Sequence, residues 1–197
     1  MKMSDTASPN GLVPSRRWGS ASNSTGTNMY NIASGYATSM YTGTLVEVSA
    51  GNLTILAAGT GNTAAKPIGV FQGCQYTAAN GTPTWSPYWP ASTAVLSGSQ
   101  AKGYVCDDPF ATFIVQADGV VSAGDIMTFN FPAIIGTGST ITGQSNGSLD
   151  ASGRVVGVTA LFRPIGYEEV PGNSAESAYP SLEVELIHHA LRQGAVA

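Results

Sequence analysis

Charge is what this chain has least of. Only 10% of its 197 residues are Asp, Glu, Lys or Arg, against about 25% in ordinary soluble domains. Eight basic residues stand against twelve acidic ones, for a net charge of −4. Phosphate binding needs a basic stripe, and none runs along the chain, so no nucleic-acid partner is expected. Arg16-Arg17 is the sole basic pair and reads as a solvated arm or an inter-subunit salt link. Cysteine is scarce as well. Cys74 and Cys106 have no metal-ligand spacing, and in extended segments a buried thiol behaves as a small hydrophobe. Their positions in the sequence do not decide whether the two pair.

No apolar run approaches the roughly 18 residues of a membrane-spanning helix, so no membrane partner is expected. The N-terminus lacks a basic region followed by an apolar run, which points to synthesis in a cytoplasm without general export. Catalytic phrases are missing too: no nucleophile elbow, zinc-helix motif, phosphate loop or dinucleotide fingerprint occurs. Asp107, Asp108, Asp118 and Asp125 are close in sequence but lack the spacing of a calcium loop. Asp before Pro or Gly is ordinary turn chemistry. His188 and His189 are adjacent, so on a strand they point to opposite faces and cannot chelate one ion together. The expectation is no enzyme, no metal and no cofactor.

What fills the space is small and β-compatible. Glycine numbers 24 and the apolar fraction is 43%, enough for a sizeable core, since a chain this long buries roughly 70% of its unfolded surface. The expected fold is all-β: a single β-barrel or β-sandwich with long loops. It would span residues 29–197, behind an extended N-terminal arm at 1–28. The arm is rich in Ser, Asn, Gly and Thr, and its large apolar residues are Leu12, Val13 and Trp18; it is expected to lie outside the core. Arg16, Arg17 and Trp18 are interface candidates, because Trp and Arg dominate binding hot spots. Trp18 either docks on a neighbouring subunit or folds back on its own domain.

Several strands can be read from alternation and turn chemistry. Thr44–Val48 runs into Leu53–Leu56 through Ala50-Gly51. Pro67 starts a strand over 68–76, closed by the hairpin signal Asn80-Gly81. The stretch 104–129 reads as two strands about Asp118-Gly119, the first apolar on both faces. Arg154–Phe162 reads as a strand, and so does Leu182–His188, with Glu183 and Glu185 on its wet face. Residues 136–152 form a long polar loop and a candidate interface. Val48-Ser49-Ala50-Gly51-Asn52-Leu53 recurs as Val121-Ser122-Ala123-Gly124-Asp125-Ile126, suggesting two similar β-units at about 40–76 and 104–162. Asp125 there is a turn-maker. Trp85, Tyr88 and Trp89, among Pro87 and Pro90, are further interface candidates. They form either a stacking platform for sugars or bases, or plain packing under an irregular loop.

Several phrases resemble a class of tailed-phage virion proteins encoded near the major capsid protein. They are IGVFQGCQY (68–76), PYWPAS (87–92), YVCDDPFATFIVQADG (104–119), STITGQSNGSLDAS (139–152) and LEVELIHHAL (182–191). The resemblance implies a virion structural protein of the capsid decoration, or cement, type. It would bind the major capsid protein on the outside of the assembled shell, self-associate as a homotrimer, and carry no catalytic residues. A head fibre, tail or adaptor protein is the alternative within the virion, and a carbohydrate-binding module the alternative outside it.

Overall fold

A computed structural model describes residues 6–18, 26–57, 66–157 and 160–192. Residues 1–5, 19–25, 58–65, 158–159 and 193–197, and with them part of the expected arm, lie outside these residues. The strands are β1 (Val13–Arg17), β2 (Asn28–Ile32), β3 (Met40–Tyr41), β4 (Leu45–Ser49), β5 (Asn52–Ile55), β6 (Gly69–Thr77), β7 (Pro83–Ser86), β8 (Tyr88–Trp89), β9 (Ala101–Cys106), β10 (Ala111–Gln116), β11 (Ala133–Ile134), β12 (Ser148–Leu149), β13 (Phe162–Tyr167) and β14 (Ser181–Leu186). Among the described residues there is no α-helix, and no helix is long and apolar enough to cross a membrane.

Two sheets dominate. The four-stranded sheet runs β1-β10-β14-β13, and the six-stranded sheet runs β2-β9-β6-β4-β5 with β7 on β6. Every strand pairing in them is antiparallel. The six-stranded sheet curls until β2 and β5 approach each other, but the two do not pair. The fold is therefore all-β and sandwich-like, and its sheets are not closed into a barrel.

Period-two alternation sets two cores on opposite sides of the six-stranded sheet. Leu45, Val70 and Cys106 face the four-stranded sheet, where they meet Phe113, Val115, Leu182, Val184 and Phe162. Their neighbours Val46, Phe71 and Val105 face the inside of the curl, with Ile32, Met40, Leu53, Cys74 and Trp89. The two cysteines thus sit in different cores, both as buried thiols. Gly69 makes the junction possible: a side chain there would collide with the Cys106 carbonyl oxygen.

The turns follow local chemistry. Ala50 and Gly51 both take positive φ, 49° and 78°, as the tight turn joining β4 to β5 requires. Asn80-Gly81 closes the β6–β7 hairpin, with Ala78 N–H donating to Thr82 O at 2.9 Å and Thr82 N–H to Asn80 Oδ1 at 3.0 Å.

Other expectations need correcting. The N-terminal segment does extend, but along the body: β1 pairs with β10 and Leu12 is buried in the first core. The second strand expected between Asp118-Gly119 and Phe129 does not form. Residues Ala123–Asp125 form a 3-10 turn instead, because the Asp125 carboxylate accepts from Ser122 N–H at 2.9 Å and holds the chain bent. The sequence echo therefore takes two conformations, a hairpin at 48–53 and a bent turn at 121–126. Arg154–Phe162 is not one strand either: Gly157 takes φ 86°, Val156 is exposed, and the regular strand starts only at Phe162; Val158 and Thr159 lie outside the described residues. The polar stretch 136–152 folds onto the body. Gly143, Ser145, Gly147, Ser148 and Leu149 are buried, while the tip at Ile141 stands free.

Candidate interaction surfaces

The acidic residues singled out in the sequence are fastened to their own fold. Asp107, 5% exposed, accepts from Tyr30 Oη at 2.6 Å and from Asn28 Nδ2 at 2.9 Å. Burial, then the bond to Asp107, raises the Tyr30 hydroxyl above its ordinary pKa. Asp108 Oδ1 accepts from Phe110 N–H at 2.9 Å, an Asx turn at the entry to β10. Asp118 Oδ1 accepts from Ala151 N–H at 2.8 Å. Asp125 pairs with Arg154 at 2.7 Å. Among the described residues no three His, Cys, Asp or Glu side chains are grouped to hold a metal ion. Burial pushes the Cys74 thiol up to about 12, so it stays protonated and unreactive near neutral pH.

The aromatic cluster is split three ways. Trp89 is completely buried, its ring edge-on to Tyr76 at 5.3 Å and its indole N–H directed at Tyr36 O, 3.3 Å away. Trp89 is therefore a core residue and is not available as a surface contact. Tyr88 stacks on Tyr41 with centroids 5.4 Å apart. Trp85 alone points outward, 63% exposed. No platform made jointly of the three exists. Trp85 lies opposite Gln75, and Gln75 lies opposite Lys102, which in turn faces Asn31. The Lys102 ammonium donates to Asn31 Oδ1 at 2.5 Å. Met29, 58% exposed, joins this face through Gln75 Nε2, 3.9 Å from its sulfur. The outer face of the curled sheet thus shows large apolar groups among amides and carries little charge.

The outer face of the four-stranded sheet is the opposite. Arg16, Arg163, Glu183, Glu185 and Arg192 gather there in ion pairs, brought together by segments far apart in sequence. Arg16 grips Glu183 through Nε and Nη2, both at 2.7 Å, and the Thr112 hydroxyl bonds the same carboxylate at 2.7 Å. The bond from Arg16 and that from Thr112 hold Glu183 below its ordinary pKa, against the upward push of burial. Arg163 and Arg192 both reach Glu185, at 3.2 and 3.4 Å. Glu183 and Glu185 do face outward from β14, yet arginines cover them.

Where β10 begins, a knob stands at the edge of this sheet; Arg17 there lies opposite the core-facing Ala111 and lines a pocket with Asn28, Asp107, Asp108 and Leu191. The Arg17 and Arg192 guanidinium groups sit 5.7 and 5.1 Å from the Phe110 ring centre, a cation–π arrangement. Trp18, Phe110 and Leu191 are all about half exposed around it, and Trp18 N–H donates to Phe110 O at 2.8 Å. The outer face itself carries a groove of about 410 Å³ lined by Ile114 and Ile165, with Arg16, Glu168, Glu169 and Glu183 along it. Of the sequence candidates, Arg16 belongs to the charged face, Arg17 and Trp18 to the knob about Phe110, and Trp85 to the charge-poor face. Sequence reading missed Phe110, Leu191, Arg192 and the groove glutamates, since only the β1-β10-β14-β13 order brings them together. No family model, no curated protein and no solved structure matches the chain.

Proposed function

We propose that the chain is a structural component of a phage virion, of the capsid decoration kind, that binds the outside of the assembled shell and braces it. The observation that carries this reading is the uneven surface. Charge is concentrated on one sheet face, while the outer face of the curled sheet offers Trp85 and Met29, 63% and 58% exposed, among amides. A surface of that composition is suited to being covered, because a protein that stays solitary spreads charge to keep its copies apart. Trp and Met are enriched where interfaces exclude water. The family-like phrases at 68–76, 87–92, 104–119, 139–152 and 182–191 support the same reading. A ligand that recognises only the assembled lattice stabilises that lattice by mass action, without catalysis.

The test is co-sedimentation with mature shells and, separately, with unassembled capsid subunits. Binding to shells alone is the expected result, weakened at least tenfold by Trp85→Ala. Equal binding to both forms removes the decoration reading, and retention on tails or fibres replaces it with another virion role.

A further inference from the structure

We propose that residues 187–192, which follow β14, form a strap that acid releases, protonation of His189 lifting it from the Phe110 ring and the Glu185 carboxylate. The strap is held along its length. Ile187 N–H donates to Leu161 O and Ala190 N–H to Pro67 O, both at 2.9 Å. The Arg192 guanidinium donates to Leu186 O at 3.2 Å, pairs with Glu185 at 3.4 Å and lies over Phe110. At the centre His189 is only 3% exposed. Its Nδ1 accepts from Leu191 N–H at 3.1 Å, which puts the proton of the neutral ring on Nε2. That Nε2 is buried and completes no hydrogen bond among the described residues.

Acid adds the second proton at Nδ1, the atom that accepts from Leu191. Two N–H groups then confront each other, and an imidazolium, a donor at both nitrogens, lies buried with a partner at neither. Such a cation is costly, and lifting the strap lets water reach it. The charges that act on the ring do not supply the missing partner. Asp107 and Asp108, at the corner between β9 and β10, attract it, and Arg192 repels it. Asp107 is taken up by Tyr30 and Asn28, and Asp108 by Phe110 N–H and Arg17. Glu185 is taken up by Arg163 and Arg192. Burial holds the imidazole below its ordinary pKa, so the closed strap excludes a proton that the lifted strap accepts. Opening therefore gains as the pH falls below about 6.5, by about tenfold per pH unit, until the closed form is protonated as well. The lifted strap takes Arg192 off Phe110, and Leu191 out of the pocket it shares with Asn28, Asp107 and Asp108. The inference concerns the purified chain alone and does not rest on shell binding.

Amide hydrogen exchange of the full chain tests it, followed by NMR at about pH 7.5 and about pH 5 and corrected for the intrinsic rate. Protection of Ala190 and Leu191 is expected to fall at least about fivefold at the lower pH, while Phe113 in β10 and Val184 in β14 keep theirs. His189→Gln is expected to abolish this pH dependence, and His188→Gln to leave it intact. The nitrogen chemical shifts of the His189 ring give a reading that needs no variant: at the higher pH the proton is expected on Nε2, with Nδ1 bare. Strap protection that does not change with pH, or a fall shared equally by β10 and β14, overturns the proposal. So does a fall that persists in His189→Gln or vanishes in His188→Gln, and so does a ring proton found on Nδ1.

Discussion

Trp85 and Trp89 sit four positions apart in one proline-bounded segment, yet one is 63% exposed and the other 0%. Nothing in their shared aromatic character separates them; the break at Pro87 does, since Trp85 lies on β7 opposite Gln75 while Trp89 lies on β8 opposite the buried Met40, edge-on to Tyr76. Trp89→Ala should cost about 3–5 kcal/mol, the usual penalty for emptying a large core site. Trp85→Ala should change stability by no more than about 0.5 kcal/mol. Urea denaturation of the two variants checks this, and equal losses would show that both rings are packed. Histidine 189 gives a second contrast. Burial, then the positive charge of Arg192, lowers its pKa, although Asp107, Asp108 and the Ile68 carbonyl pull the other way. The folded chain then binds fewer protons at this site than the unfolded chain. Stability is full above the unfolded value near 6.5 and falls as the pH drops below it, levelling off beneath the depressed folded value. Glu183 acts in a lower window. Its folded pKa lies beneath the ordinary 4.5, so its contribution is present above 4.5 and is lost as the pH falls through the folded value. His189→Gln should flatten the upper part of the acid stability profile and leave the lower part. A profile unchanged by the substitution would mean that His189 is not the titrating group.

At the scale of elements, what could be read in advance was what local chemistry decides. The β4–β5 and β6–β7 hairpins are written in Ala50-Gly51 and Asn80-Gly81, whose backbone needs leave few alternatives. Strand β10 announces itself by apolar residues on both faces, and it is indeed central, between β1 and β14. Strand β1 was hidden because its polar sequence gives no alternation; a single residue, Leu12, ties it to the core. Leu12→Ala should therefore cost about 2–5 kcal/mol. It should also raise hydrogen exchange along Val13–Arg17, leaving β6 and β9 protected. Uniform loss of protection would instead mean that β1 and the curled sheet open together. The Val-rich run at 154–156 misled in the other direction, since β propensity only measures fitness for a packed face and Val156 has no face to pack on. Gly69→Ala addresses the junction of the sheets. The added methyl meets the Cys106 carbonyl, and overpacking of this kind should cost at least about 1–3 kcal/mol, seen as a lowered melting temperature.

On the scale of the whole molecule, low charge is a matter of distribution as much as of amount. Eight basic and twelve acidic residues would scarcely shield a body of this size if spread evenly. Instead, β1, β10, β14 and β13 collect many of them on one face and leave the curled sheet to Trp85, Met29 and amides. This partition could not be read from the sequence, because Arg16, Phe110, Glu168 and Arg192 become neighbours only through pairings across most of the chain. Two surfaces of unlike chemistry suit the proposed role, the charge-poor face being the one fitted to be covered by a shell. The most direct measurement is a cryo-EM reconstruction of shells incubated with the chain. The expected result is added density on the shell exterior, with Trp85 and Met29 of the curled sheet turned toward the shell. Density with that sheet face turned to solvent, or none on the shell at all, would contradict the decoration role.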